Sequence, residues 1–331
     1  MLINILDLSP DEITQWCKKH NEPPYRTKQI LKGIYQENKK LKDIKTLPKK
    51  LKEQLQNTFE IYMPQIVKEH TSKDQTAKYL LKLHDGKSIE TVVIPEKGYQ
   101  TQCISTQVGC PFKCIFCQTG QAGFERNLTS GEILGQIITA KKKWNNIKNI
   151  VFMGMGEPLL NTDEVIKSLE MMTHKEAMNS SQKRITISTI GLVKPLKKVI
   201  TQFPKINITV SLHTPFEKQR EKIIPVKKDS IKKIIHFFQQ NPTIKVTIAY
   251  ILMKDINDSI ETAQSLAELI KPLKCHVNII RYNETKNKKL YRSSEETIHI
   301  FMNSLRENNI NVFRRESRGE DIQAACGQLR G

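Results

Sequence analysis

The sequence CPFKCIFC at residues 110–117 places three cysteines on one short loop, with the spacing C-x3-C-x2-C. Thiolates are the usual protein ligands of iron–sulfur clusters. Cys110, Cys114 and Cys117 can therefore hold three irons of a 4Fe–4S cubane, and the fourth iron has no protein ligand. Such an iron is open to chelation by the amino and carboxylate groups of a small molecule, as S-adenosylmethionine chelates it in one class of enzymes. The loop predicts a 4Fe–4S cluster together with S-adenosylmethionine.

Structural zinc is the alternative for the same loop. Zinc in structural sites usually has four protein ligands, commonly as two C-x2-C pairs. The sequence has no second pair, and the loop contains no histidine. The seven cysteines are odd in number, which disfavours a secreted disulfide framework and favours metal or redox chemistry in a reducing compartment.

Length and charge narrow the class of protein further. The 331 residues are enough for one large domain and a small one. The sequence has no apolar run of the roughly 18 residues that a membrane-spanning helix needs, and residues 1–14 lack the basic start of a secretory signal. We expect a cytoplasmic protein with no membrane partner. The formal net charge of +19 favours a nucleic-acid partner, although a lysine-rich composition alone is another explanation.

The pattern of apolar residues divides the chain into three parts. Residues 1–65 are predicted to form an N-terminal helical domain, with one helix starting near Ser9. Residues 66–95 contain two strand-like runs around Asp85-Gly86 and predict a β-hairpin connection. Residues 96–331 alternate between strands and helices, and they are predicted to form the catalytic core and a C-terminal segment. The predicted strands of this part are 102–108, 147–153, 184–188, 206–212, 245–252 and 275–280, and the predicted helices are 129–144, 163–172, 230–238, 259–270 and 294–305.

Six strand–helix repeats predict an α/β fold with a parallel sheet. Active sites of such folds gather at the carboxyl ends of the strands. The sequence MGMGEP at 153–158 follows the second strand, where glycines let the backbone approach a ligand and Glu157 could accept a hydrogen bond from an ammonium group. A glycine turn at a strand end is the simpler explanation. Ser188 and Ser211-Leu212-His213 also end strands, but singly they are as consistent with ordinary structural polar residues.

Three longer stretches resemble the RlmN/Cfr family of radical S-adenosylmethionine methyltransferases, which act on adenine in ribosomal RNA. They are CISTQVGCPFKCIFCQTGQAGFERNL at 103–128, FMGMGEPLLN at 152–161 and RGEDIQAACGQL at 318–329. NEPPYRTKQI at 21–30 extends the resemblance into the N-terminal region. The resemblance implies a partial (βα)6 radical-SAM barrel with a small N-terminal helical domain.

The resemblance also implies roles for individual residues. Cys326 matches the cysteine that is methylated and carries the methyl group, and Cys103 matches the cysteine that resolves the covalent RNA–enzyme adduct by forming a disulfide with it. Glu90 matches a proposed proton acceptor. The contacts to S-adenosylmethionine are implied at Gly156, Glu157, Ser188, Ser211, Leu212, His213 and Asn283, and the cluster ligands at Cys110, Cys114 and Cys117. Thiols are needed at both cysteine positions because an alcohol could not exchange in this way.

Two branches of the family differ in the adenine carbon that is methylated. Gly156–Leu159 (GEPL) and Gly123–Leu128 (GFERNL) resemble the carbon-2 branch, whereas 188–191 (STIG), 248–250 (IAY) and 280–283 (IRYN) lean towards the carbon-8 branch. The balance favours carbon 2 in 23S rRNA, with rRNA alone or rRNA together with tRNA as the substrate. An external electron donor such as flavodoxin and a monomeric enzyme are also expected. A non-catalytic, metal-containing RNA-binding protein is the alternative from another class, but it would not need Cys326, Cys103 or Glu90.

Overall fold

A ten-stranded mixed sheet organises the computed structural model, which describes residues 2–225, 229–285 and 289–330. Seven neighbouring strands of this sheet are parallel and three at one side are antiparallel. The α/β class predicted from the sequence is confirmed. None of the helices within those ranges is long and apolar enough to cross a bilayer.

The N-terminal region is helical, as predicted. Its helices are Pro10–Lys19 (α1), Tyr25–Leu31 (α2) and Lys49–Thr58 (α3), and the short strands Ile3–Asn4 (β1) and Phe59–Glu60 (β2) form a parallel pair beside them. Helix α1 begins at Ser9 with a capping box, because Ser9 accepts from the Glu12 N–H and Glu12 accepts from the Ser9 N–H. The apolar faces of these helices join the main hydrophobic core through residues such as Ile13, Ile30 and Leu51.

The predicted hairpin is present and is part of a larger unit. Gln65–Thr71 (β3), Ala77–Lys82 (β4) and Ser88–Glu96 (β5) form an antiparallel meander, and Gly86 takes a positive φ of 83° in the β4–β5 turn. Strand β3 was not predicted, because most of its residues are exposed and only Ile66 and His70 are partly buried, so the run lacks an alternating apolar pattern. Strand β5 also pairs with the first strand of the parallel part, so the meander widens the main sheet. The domain boundaries at residues 65 and 95 stay predictions.

The parallel part follows the predicted alternation. The remaining strands are Tyr99–Cys103 (β6), Gln107–Gly109 (β7), Phe124–Asn127 (β8), Ile147–Phe152 (β9), Ile185–Thr189 (β10), Asn207–Ser211 (β11), Val246–Leu252 (β12), Cys275–Arg281 (β13) and Val312–Arg315 (β14). The remaining helices are Gln118–Ala122 (α4), Ser130–Lys141 (α5), Thr162–Thr173 (α6), Val193–Gln202 (α7), Glu217–Ile223 (α8), Ile231–Gln239 (α9), Ile260–Ile270 (α10) and Glu295–Glu307 (α11). The main sheet has the order β14-β13-β12-β11-β10-β9-β6-β5-β4-β3.

Two strand predictions were wrong in detail. The run 102–108 is not one strand: β6 ends at Cys103, and β7 pairs with β8 in a separate two-stranded sheet. At the break the backbone N–H of Ser105 leaves the strand ladder and donates to the Gln136 side-chain oxygen (2.8 Å), while its hydroxyl donates to the Glu90 carbonyl (2.6 Å) and accepts from the Met155 N–H (2.8 Å). The second error is the omission of β14, an edge strand of sequence VFRR in which two of four residues are arginines.

The helix before β9 has a strong local start signal. Thr129 accepts from the Glu132 N–H (3.2 Å), and Glu132 accepts from the Thr129 N–H (3.0 Å). This capping box satisfies two backbone donors that α5 cannot satisfy itself. We expect Thr129→Ala to lower the free energy of unfolding by about 1 kcal/mol, measured by urea denaturation. Thr201→Ala, at an exposed position near the end of α7, should change it by clearly less, and equal losses for the two variants would contradict the assigned cap.

Candidate active site

The three-cysteine loop lies between β7 and α4, and backbone hydrogen bonds fix both of its ends. The Cys110 N–H donates to the Gly123 carbonyl (2.7 Å), and the Cys117 N–H donates to the Cys114 carbonyl (3.1 Å). In the middle, the Ile115 N–H donates to the carbonyl of Ile223 in α8 (3.1 Å). The loop is thus shaped by the fold and not only by a bound group.

The three thiols face one another across this loop. Burial raises the pKa of the Cys110 thiol to about 12, and the neighbouring Cys117 thiolate and Glu157 add to the effect. Burial and both neighbouring thiolates also raise the pKa of Cys114 well above its usual value. Binding to iron stabilises thiolates and would offset this mutual repulsion. The donor set therefore fits an iron–sulfur cluster.

The same geometry bears on the zinc alternative. Among residues 2–225, 229–285 and 289–330, no three histidine, cysteine, aspartate or glutamate side chains are arranged to hold one metal ion. Ligands of a cubane cluster bind different irons and stand farther apart than ligands of a single ion. A tetrahedral zinc site needs four ligands around one centre, and the loop supplies three thiols and no histidine.

The MGMGEP loop follows β9 and lies near the cysteine loop, because Glu157 acts electrostatically on Cys110 and Cys114. Glu157 is buried, and its carboxylate accepts from the Leu159 N–H (3.0 Å) and the Ile190 N–H (2.9 Å). Burial raises its pKa to about 7 in spite of these hydrogen bonds. Gly156 has a φ of +100°, and a Cβ there would lie 2.6 Å from the Cβ of Gln107. Gln107 in turn accepts from the Glu157 N–H (2.9 Å), so Gly156 is required by close packing as well as by its backbone conformation.

Gly156→Ala is expected to lower both the stability of the protein and its affinity for S-adenosylmethionine. The substitution adds a clash with Gln107 to the backbone strain of about 1–3 kcal/mol that a positive φ imposes on alanine. Gly98→Ala is the matched control, because Gly98 has a φ of +84° and a Cβ placed there would meet no described atom within 4 Å beyond its chain neighbours. Urea denaturation and equilibrium binding should show a larger loss for Gly156→Ala, and equal losses would mean that packing against Gln107 is unimportant.

The predicted residues at the strand ends lie on the same carboxyl edge of the sheet. Ser188 is in β10, beside Thr209 of β11, and Ser211 is the last residue of β11. Leu212 is buried, and its N–H donates to the Ala249 carbonyl (3.2 Å). They share this edge because β10, β11 and β12 are parallel neighbours, so their carboxyl ends lie side by side.

His213 has a defined tautomer. Its Nδ1 accepts from the Ile251 N–H (3.1 Å), so the proton of the neutral ring is on Nε2. Burial, together with the nearby Arg220, lowers the pKa of His213 to about 3, which keeps the ring neutral. The ring contacts the edge of Phe116 in the cysteine loop, with the centroids 4.6 Å apart. His213 therefore joins the end of β11 to the cluster loop.

Asn283 connects the predicted cofactor residues to the predicted methyl carrier. It donates to the Cys326 carbonyl (3.1 Å) and accepts from the Ser317 hydroxyl (2.6 Å). Cys326 is exposed as a residue, whereas its thiol end lies among protein atoms. This burial raises the pKa of the thiol, while Arg315 opposes the rise. The Cys117 thiolate also acts on Cys326, so the C-terminal cysteine lies close to the cluster loop.

Cys103 and Glu90 lie beside this position on neighbouring strands. Cys103 ends β6, and burial together with the Cys326 thiolate raises its pKa. Glu90 is buried in β5; its carboxylate pairs with Lys78 (3.0 Å) and accepts from the Arg330 N–H (2.9 Å). Residues far apart in the sequence thus meet at one end of the sheet.

Sequence reasoning missed two basic residues of the site. Arg220 in α8 is fully buried and donates to the carbonyls of Ile190, Asp229 (3.2 Å) and Ser211 (3.5 Å). Lys78 in β4 is buried beside Glu90. Lysine and arginine are rarely buried unless paired, but in a chain with 53 of them no sequence signal distinguishes these two from solvated neighbours.

Comparison with known proteins assigns the chain to a family. The radical SAM superfamily profile matches residues 104–267, and the profile of the ribosomal RNA large subunit methyltransferase N-terminal domain matches residues 3–61. Two relatives, from Clostridium botulinum (strain Eklund 17B / Type B) and Fervidobacterium nodosum, are each described as a probable dual-specificity RNA methyltransferase RlmN. They are 41% identical over 333 and 337 residues, which is 99% of this chain and 96% and 97% of theirs.

A solved structure agrees with this assignment. The crystal structure of a radical SAM methyltransferase from Sphaerobacter thermophilus superposes with a TM-score of 0.92 at 35% sequence identity, covering 99% of both chains. The partial radical-SAM barrel implied by the sequence is therefore confirmed. The family uses a 4Fe–4S cluster and S-adenosylmethionine, for which the described thiols provide a fitting site. The chain belongs to the RlmN/Cfr family of radical S-adenosylmethionine RNA methyltransferases.

Proposed function

We propose that this enzyme methylates carbon 2 of an adenosine in 23S rRNA and in tRNA, through a methyl group carried on Cys326. The observation that carries the proposal is the position of Cys326. Its thiol interacts electrostatically with Cys117 of the cluster loop and with Cys103 of β6. A methyl carrier has to meet both the radical source and the resolving thiol. The hydrogen bond from the Gln118 N–H, next to Cys117, to the Gly327 carbonyl, next to Cys326 (2.7 Å), supports this role.

Each residue then has a defined task. Cys110, Cys114 and Cys117 hold the cluster, and the strand-end residues from Gly156 to Asn283 bind S-adenosylmethionine. When bound, these two groups supply the methyl group and the radical that removes a hydrogen atom from it. The Cys326 sulfur presents the carrier carbon to the ring carbon of adenine. The ring proton is transferred to a carboxylate oxygen of Glu90. The Cys103 thiolate then attacks the Cys326 sulfur: the disulfide forms, the bond between that sulfur and the methylene carbon breaks with its electron pair going to the carbon, and a proton taken up there completes the methyl group.

RNA as the substrate class is supported from several directions. The N-terminal region matches a domain of ribosomal RNA large subunit methyltransferases, and the relatives are described as dual-specificity enzymes, which supports a second RNA. The formal charge of +19 suits a polyanion. We further propose a monomeric cytoplasmic enzyme that receives electrons from an external donor such as flavodoxin.

Carbon 2 is favoured over carbon 8 by two local sequences whose structural roles are visible. In GEPL, Pro158 is the first residue of a short 3-10 helix. The Glu157 carboxylate caps this helix by accepting a hydrogen bond from the Leu159 N–H. In GFERNL, Arg126 pairs with both oxygens of Glu132 (2.7 and 2.9 Å) and so joins β8 to α5. The sequences at 188–191, 248–250 and 280–283 favour the carbon-8 alternative.

Nucleoside analysis of the reacted RNA decides between the carbons. Cluster-loaded enzyme is incubated without oxygen with unmodified 23S rRNA or tRNA, S-adenosylmethionine and a reductant, and the RNA is digested for mass spectrometry against both standards. We expect 2-methyladenosine from each RNA. 8-Methyladenosine would establish the alternative, and the appearance of 2-methyladenosine in rRNA alone would remove tRNA from the proposal.

A further inference from the structure

The C-terminal segment that contains Cys326, residues 319–330, is fastened to the rest of the protein at several points. We call it the carrier segment. At its start, Asp321 accepts from the Ser72 hydroxyl (2.5 Å) and the Lys73 N–H (3.2 Å). Beyond Cys326, the Gly327 carbonyl accepts from the Gln118 N–H (2.7 Å), and the Leu329 carbonyl accepts from the Thr119 hydroxyl (2.5 Å). Cys326 therefore sits on a loop whose two sides are held.

Two further hydrogen bonds to the carrier segment depend on the buried ion pair of Lys78 and Glu90. Lys78 Nζ lies 3.0 Å from Glu90 Oε1 and donates to the Gln323 carbonyl at 3.1 Å. Glu90 Oε2 accepts from the Arg330 N–H at 2.9 Å. Gln323 precedes Cys326 and Arg330 follows it, so the pair holds the carrier segment on both sides of the methyl carrier.

Burial makes these contacts depend on charge. Lys78 is 8% exposed and Glu90 is 7% exposed, and little water is available to solvate either group. A buried charge is stable mainly through its partner and its hydrogen bonds, and a carboxylate is a stronger acceptor than a neutral carboxyl group. If Glu90 becomes neutral, the Arg330 N–H loses a charged acceptor and the Lys78 ammonium group loses its counter-ion. The hydrogen bonds to Gln323 and Arg330 then weaken together.

We propose that Lys78 is a positioning residue that, with Glu90, forms a charge-dependent latch on the carrier segment. The inference rests on the proposed function, in which Glu90 accepts the ring proton. The proton moves from the ring carbon to a Glu90 oxygen, and the electron pair of the C–H bond stays with the adenine ring. Glu90 is then neutral and the latch loosens at the stage when Cys326 has to engage Cys103. The same pair thus keeps Cys326 in place for methyl transfer and frees it for release.

Hydrogen exchange of the cluster-loaded enzyme measures the latch directly. Glu90→Gln mimics the neutral carboxyl group, and Lys78→Met removes the ammonium group while keeping an apolar side chain of similar length. We expect each variant to raise amide exchange in residues 319–330 by about tenfold, the change that corresponds to losing a hydrogen bond to a charged group. Lys78→Arg should restore most of the protection. Lys143→Met is the matched control, because Lys143 pairs with Glu69 at the surface and should leave exchange in this segment unchanged.

A second readout separates the latch from a merely structural role. In Lys78→Met, iron content should stay at the level of Lys143→Met, whereas methylation of Cys326 should be slower, because the loosened latch no longer holds Cys326 in place; Lys78→Arg should restore the rate. Unchanged exchange in both latch variants, or exchange raised equally throughout the sheet, would overturn the inference and leave the proposed function intact. If Lys78→Met does not fold, exchange in Glu90→Gln decides. Failure of the unaltered enzyme to methylate Cys326 would instead overturn the proposed function.

Discussion

Cys103→Ala is expected to leave the enzyme covalently attached to RNA, whereas Cys326→Ala should form no RNA adduct at all. In the first variant Cys326 can still take the methyl group and add it to the base, but the thiol that forms the releasing disulfide is missing. In the second variant there is no sulfur to carry the methyl group. Burial and the nearby Cys326 thiolate raise the pKa of Cys103, which agrees with a thiol kept protonated until it is needed.

One denaturing gel distinguishes the two variants by whether RNA stays attached to the protein. Cys103→Ala should give an RNase-sensitive shift of the protein band, and Cys326→Ala should give none, although both should retain the cluster. Cys275→Ala is the control: its half-buried thiol contacts the Ile270 carbonyl (3.9 Å) in the α10–β13 connection, so it should turn over normally. Normal turnover by Cys103→Ala, or trapped RNA with Cys326→Ala, would show that the roles are wrongly assigned.

Cys114→Ala is expected to abolish the cluster and, with it, all radical chemistry. Cys114 is the most enclosed of the three thiols, in contact with the apolar groups around Phe112, and no fourth cysteine of the described chain lies on this loop. The unaltered protein should be brown and oxygen-sensitive and contain about four irons per chain.

Iron and sulfide analysis with electron paramagnetic resonance spectra, after anaerobic reconstitution, checks this expectation. Cys275→Ala should reconstitute like the unaltered protein. A colourless protein with stoichiometric zinc, or a Cys114→Ala variant with a full complement of iron, would contradict the cluster assignment.

The sequence was sufficient where the signal is local. The cysteine spacing, the capping box at Thr129 and the alternating apolar runs predicted the cluster loop, α5 and most of the parallel strands. Helix α7 was missed because its N-terminus is capped from a distance: the Val193 N–H donates to the Asp229 carboxylate (2.8 Å). Such a tertiary cap leaves no signature at the start of the helix.

The site was predictable to a similar extent. The three predicted cluster ligands come from their spacing, whereas Cys326, Cys103 and Glu90 were proposed only from the resemblance, since a lone cysteine or glutamate carries no pattern. Lys78 and Arg220 were found only in the structure. Their importance lies in burial and in contacts such as Lys78 with Gln323, which depend on how the last residues of the chain fold back onto the sheet.

The path of the methyl group is the most direct test of the account. The cluster-loaded enzyme is first incubated with S-adenosylmethionine that has an isotopically labelled methyl group, and the peptide containing Cys326 is analysed by mass spectrometry. Unlabelled S-adenosylmethionine, RNA and a reductant are then added without oxygen. We expect the label on Cys326 after the first step and on carbon 2 of adenosine after the second. Labelled RNA from an enzyme whose Cys326 never carries the label would contradict the account.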